Sequence, residues 1–395
     1  MPAFRSLWLN SVTFYLVSNA LRFVYGWVIL DGLERGETWQ GAGVFVLGVP
    51  LLFLLVPAGV WADRFDPKRM LLGSQLLLMA VMAATALGMG SGAGSLWLVL
   101  VSALLAGVAT ALGSPVRGSL IPSLLPTELL YSGIALNAIA MTLSMVLGAV
   151  AARQFGDWFG FDGAFWFMFV LLGLGILALA TMASPGPANR NDKATLRESV
   201  SEGVAFVRNE RGILTLFWLL AISGGLMSPA MFVTAQAHIK EELGRTAADA
   251  APLFALMGLG IMVSSIAIMR QGSMKNKAVL FMRAMLCGTT TVGLMGLTTA
   301  FWQILALGFF MGLCGGFFIN MNQGLIQGNT PKEVMGRVMG LYALVQAGLL
   351  PFGALLLGVL ADSIGTRITM VGAGAVAFAM VLATYVRAEA IRQIN

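Results

Sequence analysis

Two groups of polar residues stand out against the apolar runs around them. The first is GVWADRFDPKRM, Gly59 to Met70, where Asp63, Arg64, Asp66, Lys68 and Arg69 follow an apolar run directly. Hydrocarbon cannot hold so many charges, so the stretch reads as a short watery loop between two membrane helices. Gly59 lets two helix backbones approach, and Asp63 closes the first helix. The chemistry available is a conformational latch, in which ion pairs favour one arrangement of neighbouring helices over another.

The second group lies inside the first apolar run. Arg22 is about two-thirds of the way through it, and Tyr15, Asn19, Arg22 and Gly26 recur at spacings that form one polar stripe on a helix. A charge at that depth requires a wet or polar interior. Two readings remain open: Arg22 meets an anionic group of a substrate, or it serves structure by snorkelling to the outer headgroups or pairing with Asp31. Asp31 is also the best acid for proton coupling from the outer side, since no Asp or Glu falls in the middle of an apolar run.

These residues are positioned by membrane helices. The chain has 395 residues, 58% hydrophobic and 11% charged, far below the charge content of soluble domains. The expected fold is an all-α integral membrane protein with twelve transmembrane helices in two six-helix bundles. The runs are Leu7–Leu30, Trp39–Ala62, Met70–Gly88, Leu96–Ser114, Leu130–Ala152 and Ala164–Ala183, then Ile213–Ala237, Ala251–Met269, Val279–Leu297, Phe301–Gln323, Val338–Leu360 and Ile368–Val386. They give an N-terminal bundle over 1–183, a connector over 184–212 and a C-terminal bundle over 213–395. With the N-terminus cytoplasmic, 18 of the 24 Lys and Arg fall on that side, which places both termini inside. The first run lacks a cleavage site and reads as a retained helix.

The connector opens on SPGPANRNDK and continues into an expected helix. Thr195 with Glu198 fits a capping box, and Leu196, Val200, Val204 and Val207 share one face. That face would lie against the membrane or the protein's underside. Asp157 and Gly160 after the fifth run match Asp362 and Gly365 after the eleventh, a short trace of an internal repeat.

In the seventh run, Gly224, Gly225 and Pro229 predict a helix break, a feature that marks substrate sites in transporters. In the tenth, Gly308, Gly312 and Gly316 form a stripe for close helix approach, with Asn320, Asn322 and Gln323 beyond it. Those amides either hydrogen-bond substrate or tie helices together. Cys287 and Cys314 lie in apolar runs and the single histidine, His238, has no clustered ligand partners, so no disulfide, metal site or cofactor is expected.

The loop around Asp63 resembles that of the major facilitator superfamily, with Gly59, Asp63, Arg64, Lys68 and Arg69 matching the pattern and Asp66 standing in place of its second glycine. SPVRGSLIPSLLPTELLYSGIALNA from Ser114 and QGNTPKEVMGRVMGL from Gln327 resemble the branch of macrolide and enterobactin exporters. The resemblance implies a secondary exporter of amphipathic small molecules in a bacterial inner membrane. It works by alternating access, with proton coupling, two rocking bundles and a latch at Asp63. It also implies cavity-lining positions for Met141, Met227, Met231, Phe232 and Gln236, where flexible Met and flat rings suit varied apolar ligands. The family places an Arg inside the fourth span. Arg117 follows GSP at the end of that run and is not given the role.

The expected partners are a small-molecule substrate and membrane lipid, with no nucleic acid and a monomeric chain. A carrier of anionic amphiphiles, such as a lysophospholipid or siderophore, is the second transport reading. A non-transporting scaffold or sensor is the alternative of another class, and no residue cluster suggests an enzyme.

Overall fold

The computed structural model describes residues 2–124, 127–182, 196–271, 277–331 and 334–387, and these are helical with no strand among them. The chain divides into two compact units, Met1–Asp192 and Lys193–Asn395. Among the described residues, eleven helices are long and apolar enough to cross a membrane, and Val279–Met295 is a shorter apolar twelfth. Such helices satisfy their backbone groups internally, which hydrocarbon demands.

Unit 1 contains α1 (Pro2–Trp27), α2 (Glu37–Arg64), α3 (Pro67–Gly90), α4 (Leu96–Leu124), α5 (Thr127–Phe159) and α6 (Phe161–Ala180). Sequence ended the fourth span at Ser114, because Pro115 follows. The apolar span does end there, and the helix continues through Pro115 to Leu124, since membrane helices tolerate proline where neighbours take up the freed backbone groups. At the α2–α3 turn, the Asp66 side chain accepts from the Lys68 backbone N–H at 2.9 Å, and Pro67 occupies the first helical turn. Lys68 Nζ donates to the Ala180 carbonyl at 3.0 Å and to that of Met182, so it caps the C-terminal end of α6. Beside it, Leu7, Leu71, Val116, Leu120, Leu179 and Met182 form a buried cluster drawn from α1, α3, α4 and the end of α6.

Unit 2 contains the connector helix α7 (Leu196–Asn209), then α8 (Arg211–Ile222), α9 (Ala235–Glu241), α10 (Ala250–Gln271), α11 (Lys277–Met295), α12 (Phe301–Gly328), α13 (Met335–Ile364) and α14 (Thr366–Arg387). The proposed capping residue Thr195 and the side chains of 196–200 lie outside the described residues. Gly203 and Val207 are buried while Val204 is 39% exposed, so the packed face of α7 keeps Val207 of the stripe read in sequence but not Val204. It lies on α13: a Cβ at Gly203 would meet Leu341 and Arg337, and Arg337 pairs with Glu202. The stripe on α12 behaves as read, because Cβ atoms at Gly312 and Gly316 would overlap the Met257 and Ile261 carbonyls of α10.

Helices α8 and α9 belong to one span, Arg211–Glu241. The expected break at Gly224, Gly225 and Pro229 takes another form. The chain stays helical through two π turns, Ser223–Met227 and Ala230–Thr234, with Ser228 N–H donating to the Ser223 carbonyl and Ala235 N–H to that of Ala230. Pro229 has no N–H for the α-helical ladder, and widening the turn accommodates that loss without interrupting the helix. Gly353 of α13 packs against the Gly225 carbonyl and Pro229.

Both units repeat the same turns. Gly160 closes α5 at φ 84° and Gly365 closes α13 at φ 86°, each donating its N–H back one helical turn. After α1, whose end winds into a π turn at Val28–Gly32, Leu33 N–H bonds the Val28 carbonyl at 2.8 Å and Arg35 N–H that of Ile29 at 2.9 Å. After α9, Leu243 N–H bonds the His238 carbonyl at 3.3 Å and Arg245 N–H that of Ile239 at 3.2 Å. Between each pair of donors sits one left-handed residue: Gly244 at φ 61° in unit 2, but Glu34 at φ 49° in unit 1. A side chain in that conformation costs roughly 1–2 kcal/mol. Glu34→Gly is expected to raise stability by about 1 kcal/mol and Gly244→Ala to lower it by a similar amount. Detergent unfolding that moves both variants in the same direction would refute the equivalence of the two turns.

Candidate functional site

The predicted stripe on α1 occupies a half-buried face: Tyr15, Asn19 and Arg22 are each partly exposed, and Gly26 is buried. Asn19 turns its amide back to the Tyr15 carbonyl at 3.0 Å. Tyr15 Oη accepts from Asn137 Nδ2 of α5 at 3.3 Å, which ties the stripe to the helix that carries Met141, itself half exposed. Arg22 and Asp31 both have interacting neighbours. Of the proposed latch, Lys68 and Arg69 are described, with Arg69 at 3.6 Å from Asp66 and largely exposed. The side chains of Gly59, Asp63 and Arg64 lie outside the described residues.

In unit 2, Met227 and Met231 are buried, and Met227 lies where a Cβ on Gly288 of α11 would touch it, beside Cys314 and Met311 of α12. Phe232 is half-buried and stacks on Phe254 of α10, with ring centres 5.5 Å apart. Gln236 is fully buried and donates to the Ala247 carbonyl at 3.4 Å. The two amides of α12 differ. Asn320 is exposed and donates to Ser265 Oγ at 3.0 Å, whereas Asn322 is fully buried and donates to the Leu216 carbonyl at 3.1 Å, binding α12 to α8.

The most polar buried cluster in unit 1 was missed in sequence. Arg117, placed at a helix end by the proline before it, lies within α4 at 1% exposure. Its Nη1 donates to Asn10 Oδ1 at 2.6 Å and Ser11 Oγ at 3.2 Å, and its guanidinium carbon lies 4.1 Å over the Phe14 ring. Asn10 and Gln75 of α3 exchange two amide bonds, 2.8 Å and 2.9 Å, and Asn10 also donates to the Gly175 carbonyl of α6. Asn10 is thus the hub that joins α1, α3, α4 and α6. Arg117 Nε and Nη2 have no hydrogen-bond partner among the described residues. The cation is therefore solvated by amides, a hydroxyl and an aromatic face, with two donors left to spend. The sequence signal was available in Asn10 and Gln75, two amides inside apolar runs.

Removing the hub leaves a buried charge and a buried amide unsatisfied, so Asn10→Leu is expected to destabilise the protein by about 2–4 kcal/mol. Asn10→Asp keeps an acceptor for Arg117 and should retain much of that stability in reversible detergent unfolding. Equal losses for the two variants would show that Arg117 does not depend on Asn10.

The comparisons with known proteins agree with this architecture. The multidrug efflux pump Tap of Mycobacterium tuberculosis (strain ATCC 25618 / H37Rv) is 26% identical over 366 residues, covering 87% of this chain and 84% of Tap. Among solved structures, a mutant of the nucleoside transporter NupG has a TM-score of 0.81 at 11% identity, covering 98% of this chain and 99% of its own. A POT family transporter in complex with a thioalcohol conjugated peptide has a TM-score of 0.79 at 14% identity, covering 98% and 96%. At such identities the two structures speak for the fold. The family model described as Major Facilitator Superfamily matches residues 7–350, and the chain belongs to that superfamily.

Proposed function

We propose that the protein is a secondary exporter of amphipathic or hydrophobic small molecules, working by alternating access with proton coupling. The observation that carries this reading is the likeness to the efflux pump Tap along 87% of the chain. The apolar and thioether surface of the seventh span supports it, because Met227, Met231 and Phe232 offer adaptable contacts to ligands of varied shape. In unit 1 the substrate contacts proposed are Tyr15, Asn19, Arg22 and Met141, and in unit 2 Met227, Met231, Phe232, Gln236, Asn320 and Asn322. Gly59, Asp63, Arg64, Lys68 and Arg69 form the latch, and Asp31 is the acid nearest the outer end of α1. The functional divisions are 1–183, 184–212 and 213–395, in a monomer that contacts membrane lipid.

A second reading, transport of anionic amphiphiles, is supported by the cations of unit 1. Arg22 is half-buried on the α1 stripe, and Arg117 keeps two unspent donors within α4. A guanidinium suits a carboxylate or phosphate because its planar fork offers parallel donors. In the two readings Arg22 acts oppositely, as an attractive group or as one that repels cationic drugs.

The test is efflux from proteoliposomes loaded with one neutral or cationic hydrophobic dye and one anionic amphiphile. Under the export reading, the dye leaves against its gradient and Arg22→Ala changes its rate less than threefold, a loss of roughly 0.6 kcal/mol in transition-state binding at most. Under the anionic reading, Arg22→Ala stops the amphiphile and Arg22→Lys retains part of its flux. Failure of the intact protein to move either compound would defeat both readings.

The proposed orientation has both termini on the cytoplasmic side of a bacterial inner membrane, a reading supported by the distribution of Lys and Arg. Single cysteines are to be introduced at Ser201 and Thr246 in a variant lacking Cys287 and Cys314. An impermeant thiol reagent added to whole cells should label Thr246→Cys alone. Labelling of Ser201→Cys alone would reverse the orientation.

A further inference from the structure

His238 is the only histidine in the chain. It lies on α9, at the end of the seventh span away from the connector helix, and is fully buried. Its Nε2 sits 3.2 Å from Thr298 Oγ1 in the turn between α11 and α12. Thr298 in turn donates its hydroxyl hydrogen to the Met295 carbonyl at 2.7 Å. A hydroxyl has one hydrogen, so Thr298 can only accept from His238. The hydrogen-bond network therefore assigns the neutral ring its proton on Nε2. Nδ1 is left as a bare lone pair, buried and without a hydrogen-bond partner among the described residues.

Two further oxygens at this end of unit 2 are also buried and unpaired: Thr234 Oγ1, four residues before His238 on the same span, and Thr366 Oγ1 at the start of α14. Buried polar atoms are normally satisfied, and three orphans on elements that meet at one end of a bundle require an explanation. Charged groups lie on the elements around the ring. Lys240 and Glu241 are on α9 and Glu242 follows it, 3.9 Å from Arg367 of α14. In the α9–α10 turn, Asp249 accepts from the Thr246 backbone and hydroxyl, and Arg245 lies 4.2 Å over the Phe301 ring.

We propose that His238 is the proton-binding site of the transport cycle, loaded at Nδ1. This rests on the proton-coupled export reading. The step forms one N–H bond from a solvent proton and turns imidazole into imidazolium, with the Nε2–H bond to Thr298 kept. In the arrangement described here the new Nδ1–H would have no acceptor, so this arrangement belongs to the unprotonated ring. Proton binding selects an arrangement in which α9 shifts to bring Nδ1 to water or to an unspent threonine oxygen. The site takes the place of a carboxylate in the middle of a span, which the sequence lacks. The two π turns just before α9 give that end of the span a point at which to move.

A single histidine makes the site directly observable. In the full-length protein labelled with ¹⁵N-histidine, the ring should show the Nε2–H tautomer at high pH and gain a proton between about pH 5 and about pH 8. Thr298→Val, which removes the acceptor, should shift the tautomer balance toward Nδ1–H. In proteoliposomes, His238→Gln keeps a donor for Thr298 but cannot take the proton. It should lower the ratio of pH-gradient-driven export to substrate exchange about tenfold, or roughly 1.4 kcal/mol of coupling. A variant with the wild-type ratio, or a ring that stays neutral through that pH range, overturns the proposal. Should His238→Gln fail to fold, His238→Asn is read in the same assay. If the wild-type protein exports nothing, the export reading fails, and the labelled ring still decides whether His238 takes up a proton.

Discussion

A buried cation must be solvated by the protein itself, and much of unit 1 is arranged around that requirement. Arg117 is 1% exposed, so α1 presents Asn10, Ser11 and Phe14 to it. Asn10 then needs partners of its own and finds them on α3 and α6. One charge thereby sets the relative depth of four helices, because sliding any of them by a turn would break bonds of 2.6–2.9 Å. Apolar packing between membrane helices cannot set depth in this way, since lipid tails compete equally for apolar side chains. The hydroxyl relay in the same unit has a similar effect with smaller stakes: Tyr25 Oη, Ser102 Oγ and Thr85 Oγ1 join α1, α4 and α3.

Unit 2 is held together by different means. Its close contacts depend on absent side chains, at Gly312 and Gly316 against carbonyls of α10 and at Gly353 against the seventh span. Short approach distances strengthen dispersion and weak polar contacts between backbones. The polar ties in this unit mostly run from a side chain to a neighbouring backbone carbonyl, as with Asn322 to Leu216 and Gln236 to Ala247. A bundle built on such contacts contains few charge pairs that must break when a helix shifts. Among the described residues the exceptions are the connector helix, joined to α13 by the Glu202–Arg337 pair, and the end of α9, where Glu242 lies near Arg367 of α14.

The spans, the two-unit plan and the repeat were legible because apolar runs and turn glycines are local signals. Gly160 and Gly365 occupy the left-handed conformation that their position after a helix end suggests. Proline was harder to read. Pro115 suggests a helix end, yet α4 runs on through it, and the kink or break expected around Pro229 takes the form of two π turns in a span that stays helical. The error at Pro115 had a further effect, since it moved Arg117 out of the bundle and hid the Asn10 and Gln75 cluster. Face assignments on α7 were similarly beyond reach, because Gly203 contributes to the packed face by being small and no hydrophobicity pattern counts it.

The two π turns of the seventh span also change how its faces relate. A π turn takes up one residue more than an α turn, so everything beyond it is rotated by about 100° from where a regular helix would put it. A regular helix would put Met227 and Gln236, nine residues apart, on opposite faces, and the π turn between them reduces that separation. The two ends of the span keep separate phases, and a single residue gained or lost between Ser223 and Thr234 could be absorbed as rotation while the helix keeps its path. Such a span works as a threaded joint, in which winding or unwinding one turn converts a small change in length into a change of the side chains presented at its far end.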